Sequence, residues 1–283
     1  MRNFMEMLHA KWDEGKFVCV GLDSDPTKIP ESVGKGTVSQ EQIVEFNSRI
    51  IDATRDLVCA YKPNIAFYAT YGIPGWHALR NTIDWVNQVA PEIPVILDAK
   101  RADIGNTNRG YVAEVFDVLG ADAVTVNPYF GAEALQPFLE RKDKGIIVLC
   151  RTSNKGAGEF QDLTVLGHGP LYHVVARHVV SEWNKNGNCA LVIGATYPTE
   201  LAEVRGIVGD GFPILIPGIG KQGGDLEKTV NAGRDSKSQG MIINSSSGII
   251  FASDGEDFAE AARRETEKLH NGITQILKGA VTT

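Results

Sequence analysis

Residues 94–107 read PVILDAKRADIGNT. Pro94 to Leu97 form an apolar run of the kind that fills a buried strand, and the run leads directly into Asp98, Lys100, Arg101 and Asp103, four charges within six residues. Charged groups at the end of a buried strand are expensive to desolvate unless they are paired with one another or used. The stretch therefore poses a fold question and a chemical one together.

Seven other runs share its form. They are FVCVGLD (17–23), LVCAYKPN (57–64), AVTVNPY (123–129), GIIVLCRTS (145–153), CALVIGAT (189–196), PILIPGIG (213–220) and GMIINSSS (240–247), with PVILDAK (94–100) third in order. They are continuously apolar rather than alternating, as in parallel strands covered on both faces. Segments of helical period separate them, among them GWHALRNTIDWVNQVA, GYVAEVFDVLG, GAEALQPFLERK and LYHVVARHVVSEWNK. Eight strands alternating with helices predict an α/β chain folded as a single (β/α)8 TIM barrel over residues 1–283. A doubly wound open sheet is the competing arrangement, but eight units with a helix after each favour closure. MRNFMEMLHAKWDEGK, ahead of the first strand, reads as an additional amphipathic N-terminal helix rather than a signal peptide.

Nearly every run ends in polar or glycine residues: Asp23, Lys62 and Asn64, Asp98 and Lys100, Asn127, Arg151 to Ser153, Thr196, Gly218 and Gly220, and Asn244 to Ser246. In a barrel these ends meet on the one face where barrel enzymes build their sites. A single such residue is easily a helix cap; eight ends together point to an active site.

Composition narrows the chemistry. With 283 residues, 43% of them hydrophobic, the chain can bury one large core. A net charge of −7 argues against a general nucleic-acid binder, while leaving room for a small anionic substrate. No run approaches the roughly 18 apolar residues of a membrane span. The four cysteines are far apart with no CxxC pair, which suits free buried thiols in a reducing cytoplasm and gives a metal site no support. The six histidines form no HxH or HExxH pattern.

Asp98 and Lys100 are two apart on a strand and so share a face. With Lys62 from the preceding run and Asp103 just beyond, they predict an alternating Lys–Asp–Lys–Asp array in which every charge supports its neighbours. An ammonium held this way can protonate a developing carbanion, and a fixed carboxylate can repel a substrate carboxylate that is about to leave. A purely structural ion-pair network is the alternative reading of the charges. After the seventh run, PGIGKQGGD (217–225) offers backbone amides for a phosphate in the place where barrels often bind one, and NSSSGII after the eighth run adds to it.

LDAKRADIGNT resembles the signature of the orotidine 5′-monophosphate decarboxylase family, a D-x-K-x-x-D element followed by a threonine. VGLDSDP, YKPNIAFY, RTSN with GAGEFQDL, VIGATYP and IPGIGKQGGD agree with it in order along nearly the whole chain, and the set resembles the longer bacterial branch of that family. The resemblance implies cofactor-free decarboxylation of orotidylate to uridylate and CO2 in pyrimidine synthesis. It implies that Lys100 protonates C6 of the pyrimidine and that Asp98 packs near the departing CO2. It further implies that Asp103 and Thr107 are contributed across a homodimer interface, and that Lys62 and Asp23 contact the ribose and the charged network. Ser153 would read the pyrimidine edge. Gln222, with Gly220, Gly223, Ser246 and Ser247, would surround the phosphate. No metal is implied.

One position departs from the family pattern. Ser245-Ser246-Ser247-Gly248-Ile249 has a serine, Ser247, where the resemblance leads one to expect a phosphate-binding arginine. Lys221 is a nearby cation, although it lacks a planar fork. Two other functions share the motif or the fold: a Mg²⁺-dependent sugar-phosphate lyase of the same superfamily, against which RTSN and KRADIGNT argue, and a non-catalytic phosphate-ligand-binding barrel, suggested only by Ser247.

Overall fold

All eight apolar runs form parallel strands in the computed structural model, which describes residues 2–34, 39–220 and 223–280. They are β1 (Val18–Gly21), β2 (Val58–Lys62), β3 (Ile96–Arg101), β4 (Ala123–Val126), β5 (Gly145–Arg151), β6 (Cys189–Ile193), β7 (Ile214–Pro217) and β8 (Met241–Ser245). Each strand is shorter than its run, although Lys62, Asp98, Lys100, Arg151, Asn244 and Ser245 remain within their strands. The strands pair in the order β2–β1–β8–β7–β6–β5–β4–β3. Two backbone hydrogen bonds, from Tyr61 N to Pro94 O (3.1 Å) and from Asp98 N to Pro63 O (2.9 Å), join β2 to β3 and close the ring. The architecture is the expected (β/α)8 barrel. Every residue of β1, β2, β4, β6 and β8 is buried, which is why these strands read as continuous apolar runs.

The helices follow their sequence signals with local departures. The helix expected over 110–120 starts earlier, at Gly105, and its second half, Ala113–Val118, widens so that Leu119 N donates to Glu114 O, five residues back. The 171–185 segment behaves alike, with Asn184 N donating to Val179 O. The connection from β5 to β6 also carries a small hairpin, Thr164–Val165 with Gly169–Pro170.

The N-terminal helix α1 (Phe4–Asp13) begins where the Asn3 side chain accepts from the amides of Met5 and Glu6. Its apolar face, Phe4, Leu8 and Trp12, is buried. Phe4 N donates to Asp143 O (3.0 Å), and Trp12 Nε1 donates to Met241 O (2.8 Å). Asp143 precedes β5 and Met241 begins β8, so α1 seals the N-terminal mouth of the barrel and leaves the opposite mouth for the site. All four cysteines are free and buried, and burial pushes the Cys19 and Cys189 thiols up to about 12. No helix among the described residues is long and apolar enough to cross a membrane.

The plug fits because β5 starts with a glycine. A Cβ on Gly145 would overlap the Phe4 ring. Gly145→Ala should therefore lower stability by about 1–3 kcal/mol, the usual effect of an added methyl in a packed core. Adding Phe4→Leu should recover part of that loss. Equilibrium denaturation of the parent, both single variants and the double variant measures the coupling; additive effects would show that the two positions do not press on each other.

Candidate active site

The C-terminal ends of the strands surround a cavity of about 480 Å³. Leu149, Val192 and Leu215 give it an apolar lining, while Asp23, Lys62, Asp98, Lys100, Ser153 and Asn244 are among its polar groups. Two glycines permit the close packing at its rim. A Cβ on Gly21 would lie 2.6 Å from Ser246 Cβ, and one on Gly194 would lie 2.7 Å from Ser153 Cα.

Asp98 organises the charged wall. Its Oδ2 accepts from Lys62 Nζ at 3.2 Å, and its Oδ1 accepts from Lys100 Nζ at 2.7 Å and from Thr125 Oγ1 at 2.8 Å. Lys62 also lies 3.9 Å from Asp23 Oδ1. The strands supply these groups from β2, β3 and β4, and β3 does so through an irregularity. Leu97 pairs with Val124 and Arg101 with Val126, so Asp98, Ala99 and Lys100 together face the single residue Thr125. Lys100 adopts φ +47°, a left-handed conformation uncommon for a residue with a side chain, and the bulge points its ammonium toward the cavity.

The two lysines differ in environment. Lys62 is buried, at 4% side-chain exposure, whereas Lys100 is 50% exposed. Burial alone would drive the Lys62 ammonium toward neutrality, but the carboxylates of Asp98 and Asp23 outweigh it and hold its pKa above the ordinary lysine value. Burial likewise opposes the charge on Asp98, yet Lys62, Lys100 and the Thr125 hydroxyl hold it well below the usual carboxylate range. The carboxylate is ionised at neutral pH. Asp23 Oδ1 is buried and accepts no hydrogen bond among the described residues, which leaves an acceptor for a ligand hydroxyl.

Of the residues expected from the sequence, Asp23, Lys62, Asp98, Lys100, Ser153, Ser246 and Ser247 line this cavity. Gly220 and Gly223 lie in the loop after β7, both with positive φ, and Gly223 N donates to Gly220 O (2.9 Å). Gln222 and Lys221 lie outside the described residues. Asp103 and Thr107 are not part of the lining. Asp103 accepts from the Ile104 amide (2.7 Å) and Thr107 is exposed, so the array within one chain comprises Lys62, Asp98 and Lys100, with Asp23 beside them. Thr125 and Gln161 also line the cavity and were not anticipated. Thr125 is a polar residue inside the otherwise apolar AVTV of β4, a signal that was available. Gln161 is brought in by contact, its Oε1 accepting from Thr152 N (2.8 Å), and its spacing alone carries no such signal.

The fold agrees with what the chain is similar to. The model of the orotidine 5′-phosphate decarboxylase / HUMPS family matches residues 16–262. The orotidine 5′-phosphate decarboxylase of Janthinobacterium sp. (strain Marseille) is 49% identical over 275 residues, covering 97% of this chain and 99% of that protein. Among solved structures, the OMP decarboxylase of Leishmania donovani is 37% identical with a TM-score of 0.81, covering 96% of this chain and 99% of that one. The UMP synthase of the same organism is 39% identical with a TM-score of 0.84, and the match covers 96% of this chain but 57% of that longer one. By its sequence over nearly its whole length, the chain belongs to the orotidine 5′-phosphate decarboxylase / HUMPS family.

Proposed function

We propose that this chain decarboxylates orotidine 5′-phosphate to uridine 5′-phosphate and CO2. The observation that carries the reading is an ionised Asp98 held between a buried lysine and a cavity-facing one, in a chain nearly half identical to orotidine 5′-phosphate decarboxylases along its full length. Those relatives favour it over a sugar-phosphate lyase or a non-catalytic barrel. The bond between C6 and the carboxylate breaks and its electron pair stays on C6, in an orbital the ring cannot delocalise. The Lys100 ammonium gives C6 a proton and is reprotonated from solvent. Lys100 suits this role better than Lys62, because it is half-exposed at the cavity and paired with one carboxylate, while Lys62 is buried and tied to two. Asp98 meets the substrate carboxylate with like charge that is relieved as CO2 departs, and the fixed ammoniums favour the developing carbanion. Asp23 takes a ribose hydroxyl, Ser153 the pyrimidine edge, and the loops after β7 and β8 the phosphate, whose remote binding energy is used at the reacting carbon.

The reading includes a homodimer. Asp103 and Thr107 lie outside their own chain's cavity lining, on the segment that exposes Ile104. Tyr129, Phe130 and Phe160 are exposed in the loops after β4 and β5, at the same end of the barrel. Such apolar exposure marks association surfaces. A cytoplasmic setting accords with four free, buried cysteines.

Three outcomes follow. Lys100→Ala should fold normally and lose at least the roughly 10²–10⁴-fold that general acid catalysis contributes; absorbance of orotidylate over time reads it, and near-parental turnover would remove Lys100 from the mechanism. Lys100→Ala and Asp103→Ala, each nearly inactive alone, should regain activity when mixed under subunit exchange, since one of the two pockets in the heterodimer is then intact. Demonstrated heterodimers without recovery would mean that each pocket is built from one chain. Finally, Ser247 lines the cavity where an arginine would clamp the phosphate. A charge-assisted bond there contributes about 1.5–3 kcal/mol, so Ser247→Arg should raise kcat/KM on orotidylate roughly ten- to a hundredfold. Orotidine lacking the phosphate should gain nothing; equal kcat/KM on orotidylate for the two proteins would mean that no clamp is missing.

A further inference from the structure

Thr125 occupies an unusual place in β4. It is 1% exposed, within a strand that is otherwise alanine and valine, and it faces the three bulged residues of β3. Its hydroxyl makes two hydrogen bonds that differ in direction. Lys100 N donates to Oγ1 at 2.9 Å, and Oγ1 lies 2.8 Å from Asp98 Oδ1. A hydroxyl has one proton and two acceptor sites. The Lys100 amide can only donate and an ionised carboxylate can only accept, so the hydroxyl proton is directed to Asp98. The same oxygen thus replaces the ladder bond that Lys100 loses in the bulge and fixes the carboxylate oxygen that Lys100 Nζ approaches at 2.7 Å.

We propose that Thr125 is a positioning residue for decarboxylation: through one hydroxyl it holds both the left-handed Lys100 backbone and the plane of the Asp98 carboxylate, and so sets the proton donor against the reacting carbon. This rests on the function proposed above. The role differs from packing. Valine has nearly the same shape as threonine, and the β-branched methyls would fill the same space. What valine removes is the pair of directed bonds, leaving the Lys100 amide without its acceptor and Asp98 with one donor fewer. The left-handed backbone then has less to hold it, since such conformations persist only where the surroundings over-determine them. The residues assigned above to the phosphate and to the ribose hydroxyl, Asp23 and the loops after β7 and β8, make no hydrogen bond to Thr125.

The test compares Thr125→Val and Thr125→Ser with the parent, all as full chains. Thr125→Val should lower kcat on orotidylate by about ten- to a hundredfold, the range expected when a hydrogen bond to a charged group is lost. Its KM and its affinity for uridine 5′-phosphate should stay close to the parent's. Thr125→Ser keeps the hydroxyl and should retain most of the parental kcat. Amide hydrogen exchange at Lys100 should accelerate in the valine variant and not in the serine variant. If Thr125→Val does not fold, Thr125→Ala carries the same comparison. Parental kcat in Thr125→Val, or serine and valine variants equally impaired, would overturn the positioning role. So would a fall in product affinity that matches the fall in kcat, since that is the mark of a general structural defect. A parent chain that leaves orotidylate unchanged fails at an earlier step, overturning the proposed function and this role with it.

Discussion

Everything at the C-terminal mouth of this barrel depends on keeping the Asp98 carboxylate charged while it is mostly removed from water. Its side chain is 13% exposed, and an isolated carboxylate so placed would neutralise instead. Two ammoniums and a hydroxyl prevent that, and they arrive from three consecutive strands: Lys62 on β2, Lys100 on β3 and Thr125 on β4. The same place is structurally the weakest point of the ring. β2 and β3 are joined by isolated bridges rather than a continuous ladder. The Lys62–Asp98 pair crosses that seam, so the ion pair that poises the chemistry also ties the two ends of the sheet together. Breaking a buried pair by deleting one partner leaves the other uncompensated, at a typical cost of about 3–5 kcal/mol.

That double use explains why four charges cluster after PVIL. They do not share one task. Asp98 and Lys100 belong to the hub. Arg101 turns away from the cavity: it bonds Glu114 through Nε (3.1 Å) and Nη2 (3.0 Å) and covers the Tyr111 ring, which anchors the following helix to the strand end. Asp103 accepts the next backbone amide and stays outside the cavity lining. The bulge separates these roles, because it lets Lys100 leave the ladder while Arg101 rejoins it opposite Val126. Without the bulge, strict alternation along the strand would govern where both side chains point.

The barrel is legible in the sequence because strands buried on both faces are written mostly in apolar residues, and nearly every run ends in polar or glycine residues. The Asp98–Lys100 contact is expected from the two-residue period of a strand, but in the structure a bulge, not strict alternation, brings the two side chains together. The membership of Lys62 was an extrapolation from run order that the β2–β3 seam makes real. What escaped was contact not encoded by period. Thr125 joined the wall because a bulge on the neighbouring strand brought three residues against it, and strand register is not written in either strand alone. Asp103 follows the strand too closely in sequence for its charge pattern to look separate from the array, yet the turn toward Gly105 takes it out of its own chain's cavity lining, which leaves only the cross-interface assignment that the resemblance implies.

The cavity is divided between strand ends and loops. The hub sits on strands, and Asp98 N makes one of the two hydrogen bonds that close the ring. The loops after β7 and β8 are rich in glycine and serine, with Gly218, Gly220 and Gly223 at positive φ and Ser246 and Ser247 lining the cavity. Loops tolerate substitution better because fewer buried contacts constrain them. Ser247 is such a position: it lines the cavity at the start of a short helix and takes no part in the sheet. Asp98 and Lys100, by contrast, sit on β3, whose pairing with β2 and β4 fixes where they stand.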